Sequence, residues 1–60
     1  MRVLFIEVDG GHNGLGDSGR QWRITRVKTG WRLHFRDAGD TIPINAGVYA
    51  TLADAQAAAA

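Results

Sequence analysis

Residues 31 to 36 alternate strictly: Trp31, Leu33 and Phe35 are apolar, while Arg32, His34 and Arg36 are basic. Successive side chains of a strand point to opposite sides of a sheet, so this period of two fits a strand with one greasy and one charged face, and fits no helix. Whatever the rest of the chain does, it must cover the first face and leave the second wet or partnered. The preceding run, Gln21 to Lys28, reads as a second strand, and Thr29-Gly30 between the two marks a hairpin. With Thr29 and Gly30 as the loop, Val27 faces Arg32, Thr25 faces His34 and Arg23 faces Arg36. The apolar face then collects Trp22, Ile24, Trp31, Leu33 and Phe35, with the stem of Arg26 lying on the aromatic rings.

Downstream, Ala38-Gly39-Asp40 reads as a turn and Thr41 to Tyr49 as a third antiparallel strand with Ile42, Ile44 and Ala46. Pro43 cannot donate to a ladder, which assigns this strand to an edge, and Gly47 marks a bulge near its end. Thr51 with Asp54 three residues on has the pattern of a helix N-cap, and an alanine-rich helix follows from Leu52. So short a helix does not stand alone in water, so Leu52, Ala55 and Ala59 are expected to lie against the sheet. At the other end, Arg2 to Val8 is apolar on both pleat faces through Val3, Leu4, Phe5 and Ile6, the pattern of a strand that is central or buried by another chain. The expected class is α+β: a small antiparallel sheet, made of a three-stranded meander plus an N-terminal strand, with one C-terminal helix (51–60) packed on one face.

Between the first strand and the hairpin, residues 9 to 20 hold Gly10, Gly11, Gly14, Gly16 and Gly19 and break every period, so the segment is expected to be a flexible glycine-rich loop. It lacks the Lys-Ser/Thr step of a phosphate-binding loop and leads into a strand, where a dinucleotide fingerprint needs a helix. Asp9, His12 and Asp17 are the only acidic and imidazole groups on it, and ordering three ligands on so much glycine costs entropy, so no metal site is expected. Ser18 has no base or oxyanion donor at a recognisable spacing. The six residues Gly10 to Leu15 resemble a local signature of bacterial peptidyl-tRNA hydrolases, whose chains are far longer and carry a separate catalytic histidine; the other histidine here, His34, lies in a strand among arginines. Neither catalysis nor a cofactor is expected.

Sixty residues form one domain, 1–60, with a small interior and no cysteine to cross-link it. Self-association is the remaining route to stability, so a homo-oligomer is expected. The apolar run at the start ends after four residues at Glu7, short of the roughly 7 to 15 that a secretion signal requires, and no segment spans a membrane, which together place the protein in the cytoplasm.

The net charge is only +1, yet six of the seven basic residues are arginine. Arg23, Thr25, Arg32, His34 and Arg36 share the face turned from the helix, and guanidinium forks on a two-stranded ribbon suit a nucleic-acid backbone or groove. The function expected is a non-catalytic binding module for nucleic acid, in a phage or bacterial accessory protein. The alternative is a homodimeric protein-interaction module that pairs through the first strand, with Val3 and Phe5 as the interface. Residues Trp22 to Ala59 resemble the three-strand-plus-helix unit of the YegP-like domains of unknown function, which implies a fold and a tendency to pair. They are also similar in layout to the arm-type DNA-binding domain of phage tyrosine integrases, through Gly30-Trp31, the basic strand Arg32 to Arg36, and Thr51-Leu52-Ala53-Asp54-Ala55. That second resemblance implies DNA contact through Arg23, Arg32, His34 and Arg36.

Overall fold

The hairpin read from residues 21 to 36 forms, and the remaining elements extend it on both sides. A computed structural model describes residues 3 to 16 and 19 to 59. Strands β1 (Leu4–Val8), β2 (Gly11–Leu15), β3 (Gln21–Val27), β4 (Gly30–Arg36) and β5 (Ile44–Tyr49) form one antiparallel sheet in chain order, and helix α1 (Leu52–Ala58) packs on β3, β4 and β5. The α+β class therefore holds, with one strand more than expected.

The additional strand is β2, drawn from the glycine-rich segment. Gly11 to Leu15 pairs with β1 on one side and β3 on the other, which corrects the expectation of a loop over all of residues 9 to 20. Its glycines make room. A Cβ on Gly11 would overlap the backbone carbonyl of Ile24, and one on Gly14 would lie 2.7 Å from Val3 Cγ1 and 3.0 Å from the Phe5 ring. Asp9-Gly10, with Gly10 at φ 79°, turns the chain between β1 and β2, and Asp-Gly is a strong hairpin signal that the density of glycine concealed.

The β3–β4 register is also shifted. Val27 opposes Gly30, Thr25 opposes Arg32, Arg23 opposes His34 and Gln21 opposes Arg36, so Lys28 and Thr29 form the turn. Gly30 belongs to the strand, because a Cβ there would overlap the Tyr49 carbonyl of β5. The slip is an even number of residues, so every side chain keeps its expected face. On the far side, β5 begins at Ile44, later than expected; Ile42 is exposed and Pro43 precedes the first rung. The bulge occurs as expected: pairing shifts between Leu33 and His34, and Gly47 has φ 116°.

The core lies between the sheet and α1. Ile24 and Leu33, cross-strand partners, are fully buried, and Ala55 and Ala59 approach them from the helix. Trp22 tilts against Phe35 at 5.1 Å, and Arg20 lies over the Phe35 ring at 4.0 Å while its Nε donates to Asp37 Oδ1 at 2.6 Å. The helix starts where the capping pattern placed it, with Thr51 Oγ1 accepting from the Asp54 N–H at 3.1 Å.

The first strand is not central. β1 is an edge of the described sheet, Val3 just before it is buried in the chain's own core, and Phe5 packs half-buried beside it. Both side chains face the helix side: Val3 is taken up by the chain's own core, and half-buried Phe5 lies beside it on the edge strand. The exposed side chains of β1 are Leu4 and Ile6 on the outer face and Glu7 on the helix side.

Candidate nucleic-acid interface

Strand alternation and the observed register fix what the outer face of the sheet presents. Three cross-strand rows run from β1 toward β5. The first is Leu4, Leu15, Gln21 and Arg36; the second is Ile6, Asn13, Arg23, His34 and Asn45; the third is Val8, Gly11, Thr25, Arg32 and Val48. All five expected contact residues, Arg23, Thr25, Arg32, His34 and Arg36, are thus brought together on β3 and β4. The face grades from apolar at β1 to cationic at β4.

No Asp or Glu occupies a strand position on this face among the described residues. Arg23 donates to Asn13 Oδ1 at 3.0 Å and Arg36 to Gln21 Oε1 at 2.7 Å. Both partners are neutral amides, which orient a guanidinium without cancelling its charge, and each fork keeps further donors free. The other two arginines with described surroundings are engaged elsewhere: Arg20 with Asp37, and Arg26 over the Trp31 ring at 4.9 Å, as the sequence implied. His34 registers the field between its neighbours. Desolvation by its strand position, then the charges of Arg23 and Arg32, push its imidazole below the ordinary value.

Leu4, Ile6, Asn13, Arg23, His34 and Arg36 line a shallow open groove along this face. The apolar members and the orienting amides Asn13 and Gln21 were not legible in the sequence, because they enter through β2 and the observed register. The aromatic rings of Phe5, Trp22, Trp31, Phe35 and Tyr49 lie on the helix side with the core. His12 joins them there, its ring edge-on to Trp31 at 6.0 Å, and Asp9 lies in the β1–β2 turn. Asp17 and Ser18 fall outside the described residues. No helix is long and apolar enough to cross a membrane.

No protein-family model, curated protein or solved structure matches the chain.

Proposed function

We propose that this protein is a non-catalytic module that binds nucleic acid through the outer face of its sheet. The observation that carries the reading is the set Arg23, Arg32 and Arg36 on one face, with neutral amides as the only hydrogen-bond partners of the first and last among the described residues. Uncompensated guanidinium groups on a rigid ribbon attract phosphate and hold it bidentately. The rings that would stack on unpaired bases are in the core, so the contact is made to the backbone, and orientation comes from charge with little base readout. The similarity in layout to integrase arm domains supports the same face, and with it a bacterial or phage cytoplasm as the setting.

With about three to five phosphate contacts, log affinity for a DNA duplex should fall against log salt with a slope of about −3 to −4.5. Arg32→Glu combined with Arg36→Glu should lower affinity by more than about tenfold while leaving the circular dichroism spectrum unchanged, since both side chains are exposed. A salt-independent titration, or a double variant that binds like the parent, rejects the reading.

A further inference from the structure

The two edges of the sheet are unlike. At β5, Pro43 precedes the strand and a bulge displaces the ladder beside Gly47, both of which keep an edge from pairing with another chain. At β1 the ladder with β2 runs unbroken from Leu4 opposite Leu15 to Val8 opposite Gly11, with no proline and no basic residue in the strand. Its outer-face side chains Leu4 and Ile6 are 82% and 64% exposed, and Leu15 extends the apolar patch. An unbroken ladder edge with an apolar outer row and open hydrogen-bonding groups is a template for a further strand.

We propose that this further strand is β1 of a second copy, paired antiparallel about a twofold axis at Ile6, so that the sheet continues through a dimer. The strand is self-complementary in this register. Leu4 meets Val8 of the second copy and Ile6 meets Ile6, which makes the outer row apolar throughout, while Glu7 meets Phe5 on the helix side. Charge selects this register over its neighbour, because an axis at Glu7 sets two carboxylates opposite each other. An axis at Ile6 also pairs the whole of Leu4–Val8, whereas one at Phe5 leaves part of the strand unmatched. A twofold perpendicular to the sheet places both arginine faces on one side and both helices on the other. One short strand is a small interface, so the dimer forms in the micromolar range and depends on concentration.

The chain contains no cysteine, which makes a cross-linking test clean. Ile6→Cys should give a disulfide-linked dimer under mild oxidation, whereas Val48→Cys on β5 should stay monomeric. Sedimentation velocity of the unmodified chain, from about 1 µM to about 1 mM, should show mass rising from monomer to dimer. Ile6→Glu, at an exposed position, should hold it at monomer, with an unchanged circular dichroism spectrum and a thermal melt that no longer depends on concentration. A monomer throughout that range, equal cross-linking of the two cysteine variants, or a dimer that survives Ile6→Glu overturns the inference. These measurements contain no nucleic acid, so a monomer defeats the dimer and leaves the nucleic-acid reading standing.

Discussion

Gly10 and Gly11 are adjacent and are glycine for different reasons. Gly10 has φ 79° with open space around its Cβ position, so only backbone conformation restricts it. Gly11 lies where β2 and β3 approach too closely for any side chain to fit beside the Ile24 carbonyl. Gly10→Ala should therefore cost about 1–2 kcal/mol, while Gly11→Ala should cost about 3 kcal/mol or more, because two paired strands must part. Urea unfolding of the two variants checks this, and equal losses would show that the β2–β3 contact is looser than described. At His34 the sign of the pH effect follows from its surroundings. Its folded value lies below the ordinary 6.5, so above that pH the group is neutral in both states. As pH falls through 6.5 toward the folded value, the unfolded chain takes up the proton first and stability is lost. The thermal midpoint should fall over that window, and His34→Gln should flatten the decline; a variant with an unchanged pH profile would place the effect elsewhere.

Among the elements, β4 and α1 were the most legible and β2 the least. Strand β4 carries its own proof in the alternation of Trp31 to Arg36, since only one assignment puts all three apolar side chains on the same side. Helix α1 announces itself through Thr51 and Asp54, and its small residues Ala55 and Ala59 let it sit close to Ile24 and Leu33. The helix is too short to persist without that cap and that contact. Thr51→Ala should lower stability by about 1 kcal/mol, a fall of roughly 4–8 °C in the melting midpoint for a domain this size. A melt that does not move would mean that packing alone holds the helix. Strand β2 gave no such signal, because Gly11, His12, Asn13 and Gly14 have weak strand propensity and the pairing comes entirely from neighbours on both sides.

At the scale of the whole molecule, the chain sorts its side chains by face. The rings sit on the helix side with a small aliphatic core, of which Ile24 and Leu33 are the largest side chains fully enclosed. The outer face carries the arginines and, toward β1, the exposed apolar patch. A meander keeps neighbours in sequence adjacent in space, so the sheet assembles without a crossover. One helix spans only part of the sheet, which leaves β1 as an unguarded edge and the basic face as open ground. The proposals for nucleic acid and for a second copy rest on different parts of that one uncovered surface.

The sequence by itself determined which side chains share a face, because strand parity is set by covalent geometry and survives a shifted register. It also determined the helix start, the bulge at Gly47, and the placing of Arg26 against the aromatic rings, of which the structure selects Trp31. Only the tertiary structure decided that a glycine-rich segment is a strand, that β1 is an edge, and that Val3 and Phe5 turn inward while Leu4 and Ile6 face out. Those outcomes depend on which backbones come together and how closely, and beyond the turn signal of Asp9-Gly10 the segment's own side chains carry little of that information.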